Sequence, residues 1–170
     1  MLSKQDLINK IEKAGHNYNL HNHTALFTVD HSNINRGEIN GSHSKNLFLK
    51  NKKNQFFLIS CEENSKIDLK KMSKLTCAGN LSFSKKEYMM ELIGVNPGSV
   101  TPYALLNDKN NKVRFFLEDK LFNSNILNFH PLVNTSTISL SKSNFISFMV
   151  ENGKKINIFS LDNYEIIEEL

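Results

Sequence analysis

The 170-residue chain lacks any long apolar run, since none of its hydrophobic stretches approaches the roughly 20 residues that a helix needs to cross a bilayer. Its first fifteen residues also lack the apolar core of a targeting signal and carry acids among their lysines. Hydrophobic residues make up 39% of the chain, which is enough for one core. We therefore expect a single cytoplasmic domain over residues 1–170, monomeric and without membrane contact.

Cysteine and arginine are both scarce. Cys61 and Cys77 form no CxxC pattern, so we expect free thiols in a reducing compartment. Arg36 and Arg114 are the only arginines, and the net charge of +4 therefore comes almost wholly from lysine. This weak basicity permits contact with a nucleic-acid backbone without requiring it.

Signatures of several enzyme classes are also missing. The chain has no G-x-S-x-G elbow, Walker loop or dinucleotide fingerprint. Cys61 ends the apolar stretch FFLISC, which predicts a buried thiol rather than a nucleophile. His21 and His23 have no acidic or cysteine partner nearby, so they fall short of a metal site. We expect neither a metal nor another cofactor.

Local patterns predict a mixed α/β (α+β) fold with the element order α, β, β, β, α, α, β, α, β. The predicted strands cover 23–29, 46–50, 55–61, 112–119 and 155–160. The first predicted helix has Ser3 as its N-cap with Asp6 three residues on, the arrangement of a capping box, and the second covers 67–78. The third begins after Ser84, with Glu87 completing a capping box and Phe83 and Tyr88 forming a hydrophobic staple, and the fourth begins after Ser141. Because strands and helices alternate without a strict βαβ repeat, we expect a mixed, partly closed sheet surrounded by helices.

The chain has only three prolines, and they mark two loops. In GVNPGSVTPYALLND, Gly98 and Pro102 frame three residues, so this loop either presents backbone groups to a ligand or is a rigid connection between elements. In NFHPLVN, Pro131 pushes His130 toward an extended conformation. A histidine beside a proline is more often structural than catalytic, and a pocket-lining role for His130 also stays open.

Three stretches together carry a family resemblance: HSKNLFLKNKK, LSFSKKEYMMELIGVNPGSVTPYALLND and NFHPLVNTSTISL. They resemble the bacterial trans-editing deacylases related to the editing insertion of prolyl-tRNA synthetase (the YbaK-like, synthetase-associated domains). More narrowly, they resemble the alanyl-tRNA(Pro) deacylase branch. The resemblance runs from residue 23 to the helix near 148. One departure is Ser44, where the family usually has Thr.

The resemblance implies the site residues. The conserved lysine of KNLFL carries over to Lys45, and the glycine of the G-x-x-x-P loop carries over to Gly98. With Asn46, which offers an amide donor and acceptor, they form the expected catalytic set. The expected substrate-binding residues are Ser44, Lys50, Ser99, Val100, Thr101, Pro102 and His130. The neighbouring Lys50, Lys52 and Lys53 form a basic cluster that is either a phosphate contact or a solvated turn.

The resemblance also implies the reaction and the partners: hydrolysis of mischarged Ala-tRNA(Pro), bound through its acceptor end, with prolyl-tRNA synthetase or an elongation factor as transient partners. Two alternatives stay open. One is a deacylase for another mischarged tRNA, carrying cysteine, serine or another small amino acid. The other is a tRNA-binding or synthetase-associated module without catalysis.

Overall fold

The computed structural model describes residues 1–25 and 39–170. Nine strands in these residues form one sheet. They are β1 Tyr18–Asn22, β2 Ser42–Lys50, β3 Phe56–Glu62, β4 Ser82–Phe83, β5 Val113–Glu118, β6 Ile126–Phe129, β7 Ser136–Ser141, β8 Asn157–Phe159 and β9 Ile166–Glu169. Their spatial order is β1-β7-β6-β2-β3-β5-β8-β9, with the short β4 paired to β2.

The sheet combines parallel and antiparallel ladders. β2 and β3 form an antiparallel hairpin that runs from the Ser44–Glu62 pair to the Lys50–Phe56 pair. β3 pairs in parallel with β5, β5 pairs in parallel with β8, and β2 pairs in parallel with β6. The predicted mixed sheet with surrounding helices is thereby confirmed, and no ladder between described residues joins its edge strands β1 and β9.

Helices pack around the sheet. They are α1 Lys4–Lys13, α2 Leu69–Leu75, α3 Lys86–Leu92, a 3-10 helix Pro102–Asn107, α4 Asp119–Phe122 and α5 Lys142–Glu151. The described residues include no helix with the length and apolar composition needed to span a membrane. Ser3 and Asp6 form the predicted capping box of α1, each side chain accepting from the other residue's backbone N–H. Ser141 caps α5 by accepting from the Asn144 N–H at 3.2 Å.

The predicted capping box of α3 is wrong. The residue that precedes this helix is Lys85, not Ser84, and it makes no side-chain cap hydrogen bond. Ser84 instead donates its N–H to the Phe48 carbonyl at 2.9 Å, because the chain leaves β4 still paired with β2. Phe83, predicted to staple the helix, is 63% exposed. Sheet pairing therefore determines where α3 begins.

The predicted strands omit β1, β4, β6, β7 and β9. β7 alternates apolar Ile138 and Leu140 with polar Ser139, a pattern typical of a strand, and the folded chain buries both of its faces. The strand predicted over 23–29 lies mostly in 26–38, outside the described residues, and 23–25 are not in a strand. These differences add strands to the sheet without changing its class.

Two apolar clusters cover opposite faces of the central strands. The larger one includes Phe48, Leu58, Tyr103, Phe115, Phe129, Phe145 and Phe148 together with residues of α1. The smaller one includes Leu49, Phe57, Ile59, Met72, Phe116 and Phe159. Successive residues of β2, β3 and β5 therefore point into different clusters. This alternation decides which face each candidate site residue occupies.

Candidate active site

Lys45 and Asn46 are neighbours in β2 and so point to opposite faces of the sheet. Asn46 shares its face with Phe48 of the larger cluster and with Lys50. Lys45 shares its face with Leu49 of the smaller cluster. The structure therefore gives these two predicted catalytic residues different surroundings, and each must be considered separately.

Lys45 is anchored at the end of β3 and β5. Its half-buried side chain lies opposite Cys61 in the hairpin, and its ammonium donates a hydrogen bond to the backbone carbonyl of Ser65. The Ser65 hydroxyl in turn donates to the carboxylate of Glu118 at 2.6 Å. The other carboxylate oxygen of Glu118 accepts from the Glu62 N–H, also at 2.6 Å. The ammonium is thus held at one end of a connected polar network.

Cys61 lies within the electrostatic field of this network. Burial raises the pKa of its thiol to about 12, the Lys45 ammonium acts to lower that pKa, and the carboxylates of Glu118 and Glu62 act to raise it. The side chain is fully buried, which confirms the predicted buried thiol. Because the thiol stays protonated near neutral pH, Cys61 is not suited to nucleophilic attack.

Asn46 and Ser44 tie β2 to the strands beside it. The Asn46 carbonyl oxygen accepts from the Ser60 hydroxyl at 2.5 Å, which links β2 to β3. The Ser44 hydroxyl donates to the Asn128 backbone carbonyl at 3.0 Å, which links β2 to β6. The Asn46 amide also lies 3.4 Å from the Ser44 hydroxyl. Both side chains therefore stabilise the strand that carries Lys45.

The Gly98–Pro102 loop has one exposed end and one buried end. Gly98 is exposed and has a φ of +87°, in the left-handed region that favours glycine. Ser99 donates its N–H to the Asn96 carbonyl at 3.0 Å, and Pro102 begins the 3-10 helix. Ser99, Val100, Thr101 and Pro102 are all buried. No hydrogen bond between described residues joins this loop to Lys45 or Asn46.

His130 and His23 come together beyond the ends of β6 and β1. Their ring centroids lie 6.2 Å apart. Nδ1 of His130 lies 3.0 Å from the Ser136 carbonyl, and Nε2 of His23 lies 2.9 Å from the Thr137 hydroxyl. Within residues 1–25 and 39–170, no group of three or more His, Cys, Asp or Glu side chains is placed to hold a metal ion.

Lys50 lies at the end of β2 remote from Lys45. Its ammonium donates to the Asn54 side-chain oxygen at 2.7 Å and sits 4.8 Å from the centroid of the Tyr88 ring. Lys52 and Lys53 are exposed in the hairpin turn beside it. Lys50, Lys52 and Lys53 therefore form a basic cluster at the surface, and Lys50 lies five residues along β2 from Lys45.

Two cavities also lie at that remote end. One of about 570 Å³ is lined by residues that include Val113, Phe115 and Ile156. Another of about 580 Å³ is lined by residues that include Phe56 and Tyr88. Both adjoin the beginning of β5, and the second also adjoins the beginning of β3, whereas the Lys45 network lies where these two strands end. Neither cavity belongs to the Lys45 site.

The motifs miss two residues of the Lys45 network, Glu118 and Ser65. Glu118 does carry a signal, because it ends the apolar strand VRFFLE and a carboxylate buried there needs hydrogen-bond donors. Ser65 lies in a polar turn that resembles any other surface turn. Only the folded chain brings its carbonyl to Lys45.

Comparison with known proteins agrees with the sequence motifs. Residues 23–148 match the aminoacyl-tRNA editing domain family. Over 145 residues the chain is 32% identical to the prolyl-tRNA synthetase associated domain-containing protein 1 of Bos taurus, covering 82% of this chain and 84% of that protein. It is 27% identical over 162 residues to the prolyl-tRNA editing protein ProX of Acetoanaerobium sticklandii, covering 95% and 99%.

The fold comparison agrees with this assignment. A solved structure described as a candidate trans-editing enzyme for prolyl tRNA synthetase gives a TM-score of 0.66 at 17% identity, over 92% of this chain and 96% of that one. An identity this low shows the fold alone, whereas the family match spans most of the sequence. On these grounds the chain belongs to the aminoacyl-tRNA editing domain family.

Proposed function

We propose that this protein hydrolyses the ester bond of mischarged aminoacyl-tRNA, with Ala-tRNA(Pro) as its substrate. The family supports an editing deacylase, and the relative from Acetoanaerobium sticklandii is named a prolyl-tRNA editing protein. The proposed chemistry rests on one observation: the Ser65 carbonyl holds the Lys45 ammonium in place, and the protonated thiol of Cys61 lies on the paired strand.

Lys45 acts on the ester by electrostatic stabilisation. An aminoacyl ester is already activated, so the protein needs mainly to orient it and to stabilise the charge that develops. Water attacks the carbonyl carbon and loses a proton to solvent, while the carbonyl oxygen becomes negative beside the Lys45 ammonium. The carbon–oxygen bond to the ribose then breaks, and the ribose oxygen takes up a proton. Lys45 transfers no proton in this step.

The Gly98–Pro102 loop supplies uncharged donors in this proposal. Gly98 is exposed, so its backbone can approach the substrate without a side chain in the way. The buried residues from Ser99 to Pro102 hold the loop in shape. A tight pocket admits alanine and rejects the larger proline by steric exclusion. In this proposal His130 also contributes to that pocket.

Binding of the tRNA acceptor end falls to the basic cluster. Lys50 lies roughly 13 Å along the strand from Asn46, at about 3.3 Å per residue, which suits a phosphate better than the scissile ester. Lys52 and Lys53 extend the positive surface there. Asn46 and Ser44 contribute by holding β2 against its neighbours.

A panel of purified aminoacyl-tRNAs tests the proposal. The release of labelled amino acid is measured from Ala-tRNA(Pro), Pro-tRNA(Pro) and tRNAs charged with cysteine or serine. We expect rapid loss of alanine and retention of proline. Lys45→Ala should hydrolyse the alanyl substrate roughly 100-fold more slowly, and the exposed Lys109→Ala, as a matched lysine control, should be unchanged. Equal rates on the alanyl and prolyl substrates, or no hydrolysis of any substrate, would contradict it; preference for cysteine or serine would move the assignment to a sister activity.

A further inference from the structure

Glu118 is a buried acid with both carboxylate oxygens committed. Glu118 is only 2% exposed to solvent. A carboxylate in such a position is costly unless donors satisfy it. The Glu62 N–H and the Ser65 hydroxyl are both 2.6 Å away, each on a different oxygen. Hydrogen bonds to an ionised acceptor of this kind are short and strong.

These two bonds hold the turn that follows β3. Glu62 is the last residue of β3, and Ser65 lies three residues further on. Glu118, the last residue of the parallel neighbour β5, therefore fixes both ends of this turn. The Ser65 carbonyl is the group that accepts from the Lys45 ammonium. The carboxylate thus positions the carbonyl, and the carbonyl positions the ammonium.

We infer that Glu118 is a positioning residue for Lys45, acting through Ser65 and without touching the substrate. This inference rests on the proposed deacylase function. Lys45 and Glu118 both contact Ser65, the ammonium through its carbonyl and the carboxylate through its hydroxyl, which places both charged groups at one residue.

A double-mutant cycle separates positioning from general support of the fold. Glu118→Gln keeps the shape of the side chain but removes its charge and one acceptor. We expect kcat on Ala-tRNA(Pro) to fall by about 10- to 100-fold with KM little changed, because a small displacement of the ammonium is enough. In the Lys45→Ala background, the same substitution should cause no further loss. Lys120→Ala, which removes the neighbouring ion pair between the exposed Lys120 and the mostly buried Glu62, is the matched control and should leave kcat unchanged.

A second measurement tests the inference without relying on activity. The protein is treated with acetic anhydride, and peptide mass spectrometry measures the extent of acylation at Lys45. This extent is divided by that at the exposed Lys109 in the same sample to give an acylation ratio. Release of the ammonium from the Ser65 carbonyl should raise this ratio several-fold in Glu118→Gln. If that variant does not fold, Ser65→Ala takes its place, since it removes the tether to Glu118 while leaving the carbonyl.

The outcomes are distinct. Two results would overturn the positioning role while the wild-type protein still deacylates its substrate. One is an unchanged acylation ratio in Glu118→Gln, and the other is a further fall in kcat when Glu118→Gln is added to Lys45→Ala. If the wild-type protein hydrolyses no substrate, the proposed function fails, and the acylation ratio alone then decides whether Glu118 positions Lys45.

Discussion

Replacement of Lys45 tests the core of the proposed chemistry. Lys45→Ala removes a half-buried ammonium whose described hydrogen-bond partner is the Ser65 carbonyl. At an effective dielectric constant of about 20, a unit charge about 4 Å from a developing oxyanion contributes about 4 kcal/mol. Water that fills the vacated space recovers part of this energy, so we expect a loss of about 3 kcal/mol in transition-state stabilisation. The rate constant should therefore fall roughly 100-fold.

Lys45→Arg tests whether activity needs the ammonium at its specific position or only a positive charge nearby. The guanidinium keeps the positive charge but is wider and planar, and the site at the Ser65 carbonyl is bounded by the buried Cys61 on the paired strand. We expect this variant to lose most of the activity as well. Near-wild-type hydrolysis by Lys45→Arg would mean that any positive charge on this face is sufficient.

Single-turnover deacylation at saturating enzyme is the appropriate assay, because it separates the chemical step from tRNA binding. Lys109→Ala serves as the lysine control, and thermal unfolding of each variant shows whether the fold is retained. If Lys45→Ala deacylates at the wild-type rate under these conditions, Lys45 is a surface lysine and the mechanism is wrong.

Lys50→Ala should weaken tRNA binding while leaving the rate at saturating enzyme closer to that of the wild type. The affinity of the wild-type protein for tRNA should fall from low to physiological salt, and an affinity independent of salt would argue against phosphate contacts by the basic cluster. Hydrolysis should survive prolonged chelation, and loss with EDTA that zinc specifically restores would reveal a metal site. Tyr103→Phe should raise the free energy of unfolding in urea by about 1 kcal/mol, because the buried hydroxyl has no partner among the described residues; a destabilised variant would mean that the hydroxyl is bonded. At pH 8, iodoacetamide should modify the exposed Cys77 and spare Cys61, whose pKa is raised to about 12 mainly by burial; rapid alkylation of Cys61 in the folded protein would contradict that burial.

Local features were predictable because their physics spans only a few residues. The Ser3–Asp6 capping box involves side chains and backbone groups three positions apart, and the β2–β3 hairpin follows from two apolar runs around a polar turn. The burial of Cys61 follows from its place in an apolar strand. Motifs in linear order were likewise sufficient to identify the family, since a family pattern does not depend on knowing which residues meet.

The tertiary structure decided which groups act together. Lys45, Ser65 and Glu118 are separated by 20 and 53 residues along the chain, and only the parallel pairing of β3 with β5 brings the turn after β3 to the Glu118 carboxylate. Ser84 is a residue type favoured as a helix cap, yet the pairing of β4 with β2 binds its backbone to β2, and Lys85 precedes the helix instead. Capping depends on nearest neighbours along the chain, whereas strand pairing and burial depend on the whole sheet. The position of the candidate catalytic lysine is therefore a property of the fold.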